Sequence, residues 1–265
     1  MAPRDRRHTN LGAIILQMNT LAKTDIEVSL IGLGTVKFGR QHGVKYPHAF
    51  TLPTDAEILQ LLDCATELGI NLLDTAPAYG SSEERLGELL HGQRHRWVIA
   101  TKAGEEFDGA ASHHDFSPQA ITASVERSLQ RLRTDYVDIV LVHSSGDDVR
   151  IIEEDHVFST LAALKKAGKI RAYGMSTKTI EGGLLTVELS DVAMVSYNTD
   201  YTDEREIITR AHELQKGIFI KKALASGHAQ DPAEALRFAC SAPGVTSVIV
   251  GTINSEHLRE NVAAV

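Results

Sequence analysis

Four residues in the first 143 have the side-chain types and spacing of a proton-transfer site. Asp74, Lys102 and His143 each stand at the end of a short apolar run (INLLD, WVIATK and VDIVLVH), and Tyr79 follows Asp74 by five positions. A phenol, with a reference pKa of about 10, is a reluctant acid or base, but a neighbouring ammonium favours its phenolate. Lys102 has the charge for that part, and Asp74 the charge to hold Lys102 in an ion pair. A lysine at such a place has a second use, because a free amine attacks a carbonyl to form a Schiff base. In that chemistry Asp74 and Tyr79 would move the protons. Taken singly, each residue reads as a solvated strand end or a salt-bridge partner. The set has meaning only if the fold brings three strand ends to one rim, where charged groups need partners.

The elements that would do so are legible from residue 28 onward. Short β-type apolar runs at 28–33, 71–75, 97–101, 137–142, 170–175, 193–197, 218–222 and 247–250 alternate with helical patterns, the signature of βαβ units. Thr54 with Glu57 and Ser81 with Glu84 spell capping boxes. Ser117-Pro118 and Asp231-Pro232 place a cap before a first-turn proline, and Gly69, Gly168, Gly217 and Gly244 are expected as left-handed helix ends. Eight strand-helix pairs of about 30 residues each fit a closed (β/α)8 TIM barrel forming a single domain over residues 18–265. A doubly wound sheet is disfavoured because Gly32 and Gly34 are followed by Lys37, which breaks GxGxxG. Residues 18–27, turning at Thr24-Asp25, are expected to form a hairpin closing the barrel floor, and residues 1–17 a flexible extension. The segments 36–53 and 103–116 exceed the usual strand-to-helix loop. Both must emerge at the carboxyl face, where they are expected to wall a substrate pocket.

Composition narrows the partners. The 265 residues carry 27 Lys plus Arg against 35 Asp plus Glu, a net charge of −8, with 43% apolar and 23% charged residues. This is a globular composition, and with no long basic stripe it argues against a nucleic-acid or anionic-membrane partner. No run of about 18 apolar residues is present, and the stretch 11–16 is too short for a signal peptide, so a cytoplasmic chain is expected, with Met18 as an alternative start. Cys64 and Cys240 lie in helical patterns without a CxxC neighbour and read as reduced structural thiols. His113-His114-Asp115 has no second cluster of ligands, so no metal site is expected. Lys45, Tyr46 and His48 read as a solvated loop face rather than as substrate contacts.

The segment GINLLDTA, continuing through Tyr79-Gly80-Ser81-Ser82-Glu83, resembles the signature of the aldo-keto reductases, and the likeness runs from Leu30-Ile31-Gly32-Leu33-Gly34-Thr35 to His257-Leu258-Arg259-Glu260-Asn261. The resemblance implies a barrel and a nicotinamide-dependent oxidoreductase acting on a small carbonyl or alcohol. It assigns Asp74, Tyr79, Lys102 and His143 as the catalytic tetrad, with His143 orienting the carbonyl oxygen or sharing its proton. For the cofactor it implies Gly34, Thr35 and Val36 after the first strand, and Ser176 and Thr177 on the nicotinamide carboxamide. It further implies Met194 where the family has Gln, and Lys221 where many members stack a Tyr. Gly251, Thr252 and Asn254 would take the phosphates at a helix start, with Glu260 and Asn261 on the adenine. NADP is the cofactor implied, with NAD as its rival because Gly251 and His257 replace basic residues. The chain ends at Val265 within the last helical pattern, from which an open, broadly selective pocket is expected. Two other readings stand beside this one: a Schiff-base aldolase built on Lys102, and a non-catalytic cofactor-binding subunit, to which Met194 and Lys221 give weight.

Overall fold

A computed structural model describes residues 16–265. Eight parallel strands close on themselves: Ile31–Gly34, Leu72–Asp74, Val98–Ala103, Val137–His143, Ile170–Ser176, Val192–Ser196, Gly217–Lys221 and Ser247–Val250. The eighth pairs with the first in the register Val248↔Ile31, Ile249↔Gly32 and Val250↔Leu33, which leaves no free edge. Helices follow each strand, two of them after the first (Val36–Gly39 and Asp55–Glu67) and two after the fourth (Asp148–Glu153 and Val157–Lys166). The expected (β/α)8 barrel is therefore the fold.

Alternation along each strand divides the core in two. Outward residues such as Leu33, Leu73, Ile99, Val140 and Val195 pack against the helices. Inward residues Leu72, Val98, Ala100, Ile139, Leu141, Ala172, Val192, Met194 and Phe219 fill the barrel with Leu21, Ile26 and Val28 from the chain before it. Those three come from the expected hairpin. Met18–Thr20 pairs antiparallel with Glu27–Ser29, and Asn19 Nδ2 donates to Thr246 O at 2.9 Å, tying the hairpin to the eighth strand.

Several boundaries differ from the sequence reading. The run at 28–33 is two strands, the hairpin's second strand and the first barrel strand, because Ser29 turns its hydroxyl to Ile31 O at 2.7 Å between them. The turn is held by Thr24 N donating to Leu21 O, so it begins before Thr24-Asp25. Of the extension expected over residues 1–17, residues 1–15 lie outside the described residues, whereas Leu16 is buried and Gln17 O accepts from Leu30 N, so these two pack with the barrel. Thr54 and Glu57 form the expected capping box, and Ser117 and Asp231 cap as expected. Ser81 does not cap: the chain reaches it straight from a tight turn, with backbone at φ −84° and ψ 12° instead of the extended form a cap needs. Gly69, Gly168 and Gly244 have positive φ, whereas at the fourth expected site Gln215 takes the left-handed position and Gly217 begins a strand. Gly217 serves a close approach instead, since a Cβ there would lie 2.3 Å from Leu21 Cδ1. The last helix, Ser255–Ala263, ends before Val265. No helix among the described residues is long and apolar enough to cross a membrane.

Leu21 is fully buried where the hairpin meets the barrel interior. Leu21→Ala should destabilise the chain by about 2–5 kcal/mol through the cavity it opens, read as a lowered urea midpoint at unchanged slope.

Candidate active site

Strand alternation also aims the reactive groups. Leu72, Ala100, Leu141 and Phe219 face the barrel interior. The residues two positions on, Asp74, Lys102, His143 and Lys221, continue the same face to the carboxyl rim, as Ser176 does above Ala172 and Gly174.

Lys102 is buried and donates from Nζ to Asp74 Oδ1 at 2.7 Å and to Thr75 O at 2.9 Å. Burial opposes its charge, but Asp74 and then Tyr79 outweigh that and hold the ammonium above its ordinary pKa. Asp74 is fixed from behind, because the N–H and the hydroxyl of Thr35 both donate to Asp74 O, at 2.9 and 3.0 Å. Tyr79 ends the 3-10 turn Pro77–Tyr79, and its ring centroid lies 4.7 Å from Lys102 Nζ. The His143 ring stands edge-on to Tyr79, at 6.3 Å between centroids and 85° between planes. The four residues picked from the sequence thus converge at one rim. Their electrostatics differ from expectation in one respect. Burial raises the phenol of Tyr79 above its usual range, and the opposing pull of Lys102 does not overcome it.

Main chain seats the phenol. Gly80 has φ +60°, and a Cβ on it would fall 2.2 Å from Gly39 O; a Cβ on Gly39 would fall 2.4 Å from Tyr79 O. Only glycines let the tyrosine turn lie against the one-turn helix Val36–Gly39. Arg40 Nη1 adds a hydrogen bond to Ala78 O at 2.8 Å.

Two residues at the site escaped the sequence reading. Glu105 begins a small hairpin, Glu105–Phe107 with Ser112–His114, within the long segment after the third strand, and its Oε2 lies 2.7 Å from His143 Nδ1. Burial pushes this carboxyl up, but the contact with His143 and its charge, with Ser112, hold it at about 2. His143 itself is lowered, chiefly by burial, with Glu105 working against that and Lys102 with it. An acidic residue just past the lysine strand was the available signal. Tyr46, read as part of a solvated face, is half-buried over the mouth. Lys37 Nζ sits 3.9 Å from its ring centroid, and its hydroxyl is 3.0 Å from where a Cβ on Gly251 would stand. Burial, then Tyr79 and Asp74, raise its phenol.

Of the residues implied for a cofactor, Ser176 and Lys221 reach the same rim, whereas Met194 lies in the barrel interior and Glu260 and Asn261 on the last helix. Ser176 Oγ accepts from Lys221 Nζ at 2.9 Å, Thr177 O accepts from it at 2.6 Å, and Thr177 Oγ1 is buried without a hydrogen-bond partner. Met194 packs in the barrel interior, which suits a core methionine, and its carbonyl accepts from Thr177 N. Gly34 ends the first strand with a Cβ position 3.8 Å from Gly251 Cα, and Val36 opens the one-turn helix. Thr35 spends its donors on Asp74. Thr252 Oγ1 accepts from Asn254 N, and the Asn254 side chain accepts from Glu256 N and His257 N, so two donors of the helix start are already engaged. On that helix Glu260 is exposed and Asn261 buried. His113 Nε2 contacts Asp108 Oδ2 at 2.8 Å on the exposed hairpin, and among the described residues no group of three or more metal-ligating side chains is gathered.

Residues 30–218 match the model of the aldo/keto reductase family. The chain belongs to that family. It is 27% identical to the uncharacterized oxidoreductase YqkF of Bacillus subtilis (strain 168), over 94% of this chain and 91% of that protein. It is 34% identical to the NADH-specific methylglyoxal reductase of Escherichia coli (strain K12), over 58% of this chain and 50% of that one. Among solved structures, PA4992 of Pseudomonas aeruginosa superposes with a TM-score of 0.87 at 51% identity, covering 93% of this chain and 94% of the other. An aldo-keto reductase of Bacillus halodurans, at 22% identity and a TM-score of 0.80, shares the fold. The chain is thus an oxidoreductase of the aldo-keto reductase family.

Glu105 supports the cationic form of His143. Glu105→Gln should therefore shift the His143 imidazole titration, followed by NMR, further below its wild-type midpoint; an unmoved midpoint would mean that the contact carries no charge coupling.

Proposed function

We propose that the chain interconverts a small aldehyde, ketone or sugar and its alcohol, with NADP(H) as cofactor and Tyr79 as general acid and base. One observation carries the reading: a phenol, a buried ammonium fixed by a carboxylate, and an imidazole meet at the rim of a barrel interior.

The rim fits a dinucleotide. Thr177 Oγ1 is a buried polar atom that needs a partner, and Ser176 offers a hydroxyl on the adjoining residue. Ser176 and Thr177 would hold the carboxamide, Gly251, Thr252 and Asn254 the phosphates, and Glu260 and Asn261 the adenine. NADP follows from the family likeness, and NAD is the alternative, since Gly251 and His257 stand where basic residues would meet a 2′-phosphate. The nucleotide, when bound, supplies the hydride that no side chain can provide.

The chain's residues manage the proton. In reduction, Tyr79 gives its hydroxyl proton to the carbonyl oxygen, and the phenolate left behind is stabilised by Lys102. Asp74 keeps that ammonium charged and in place. His143, whose Nδ1 lies 2.7 Å from Glu105 Oε2, would orient that oxygen through its other nitrogen. Burial keeps Tyr79 protonated through the neutral range, the form that reduction needs. The Schiff-base reading is disfavoured because Lys102 is held as an ammonium with two acceptors, whereas a nucleophilic amine must be neutral.

Tyr79→Phe should lower turnover of an aldehyde panel by at least about a hundredfold, measured at the NAD(P)H absorbance, and leave nucleotide affinity within about threefold. Unchanged turnover would overturn the assignment, and turnover absent from the wild type with tight nucleotide binding would favour the non-catalytic reading. In the alcohol-oxidising direction, which needs the phenolate, the single-turnover rate should keep rising as pH is taken from neutral toward 10, while the single-turnover rate of carbonyl reduction stays flat through neutral pH.

A further inference from the structure

We propose that Lys221 makes this site discriminate the redox state of its nucleotide by charge, binding the reduced form in preference to the oxidised one. The inference rests on the nicotinamide reading of the rim given above, and adds to it a direction.

Lys221 ends the seventh strand on the inner face, with Nζ donating to Ser176 Oγ at 2.9 Å and to Thr177 O at 2.6 Å. A carboxamide held by Ser176 would therefore share that hydroxyl with an ammonium and bring the ring beside it. The two lysines of the rim differ in compensation. The charge of Lys102 is matched by Asp74 at 2.7 Å, whereas Lys221 pairs with no carboxylate among the described residues and has only neutral oxygens as acceptors. The acids within its field make no ion pair with it and take their hydrogen bonds from other groups, Glu204 from Ser196 N and Asp148 from Lys178 N and from the N–H and hydroxyl of Thr179. An oxidised nicotinamide carries a positive charge on its ring and a reduced one does not. Beside a half-buried cation that no carboxylate among the described residues contacts, the oxidised ring is repelled and the reduced ring is not. An aromatic side chain at this position would stack on either form without that distinction.

The effect is tied to pH through the groups that face Lys221. Burial lowers its pKa to about 7; Glu204 and Asp148 work against this, and Lys222 and Lys102 reinforce it. His143 also lies within its field. Below neutral pH the ammonium is present and the preference is strongest; above it the amine is neutral and the preference fades. Physically, the site sheds an oxidised product more readily than it would with a neutral residue, which favours turnover in the direction of carbonyl reduction.

The test is calorimetric titration of the full chain with NADPH and NADP+, and with NADH and NAD+, at about pH 6 and about pH 8.5. The two members of each pair carry the same phosphates, so phosphate ionisation cancels in their affinity ratio. For the wild type, Kd of the oxidised form divided by Kd of the reduced form should fall by about tenfold from the lower pH to the higher. Lys221→Met should lower that ratio at pH 6 by a similar factor and leave it insensitive to pH, while Lys221→Arg, charged at both pH values, should keep the ratio high throughout. A ratio in Lys221→Met equal to that of the wild type at pH 6 overturns the proposal and leaves the cofactor reading standing. If none of the four nucleotides binds the wild type, the cofactor reading fails and the proposal with it.

Discussion

A buried ion pair governs the site. Lys102 and Asp74 are taken almost wholly out of water, and neither could be charged there without the other. Removing one partner of such a pair typically costs about 3–5 kcal/mol, because the survivor is left as a bare charge in a poor solvent for it. Thr35, which ties Asp74 by its carbonyl, and Thr75, whose carbonyl takes a second Lys102 proton, are therefore parts of the electrostatics. The pair fixes a positive point at the rim, and the phenol and imidazole are arranged about it.

Barrel geometry explains why these groups meet. Every second residue of each strand points inward, so the face that fills the interior lower down carries the polar and charged side chains at the top. In the third strand the series is Val98, Ala100, Lys102; in the fourth, Ile139, Leu141, His143; in the seventh, Phe219 and Lys221. The hairpin at the other end, with Leu21 pressed against Gly217, closes the floor and leaves the rim as the face of the barrel devoted to chemistry.

Three of the four candidate residues, Asp74, Lys102 and His143, and the barrel were legible in the sequence for the same reason: a polar residue terminating an apolar strand is conspicuous, and strand ends in this fold share a rim, whereas Tyr79 lies on a turn and is picked out by the family resemblance. What escaped depended on turns. Glu105 reaches His143 only because the segment after the third strand folds back as a hairpin, and no pattern in 103–116 announces that pairing. Tyr46 comes to the mouth through the path of a long loop. Ser81 and Gly217 misled because one residue type serves several ends: a serine after a tight turn lacks the extended backbone of a cap, and a glycine before a strand can answer to a neighbouring leucine instead of a helix end.

The contact between Gly39 and Gly80 joins two stretches of main chain and involves no side chain at all. Placement of the Tyr79 phenol is thereby insulated from sequence drift in the surrounding loops. Residues of the long segments after the first and third strands can be exchanged while the two glycines stay fixed and the phenol keeps its address.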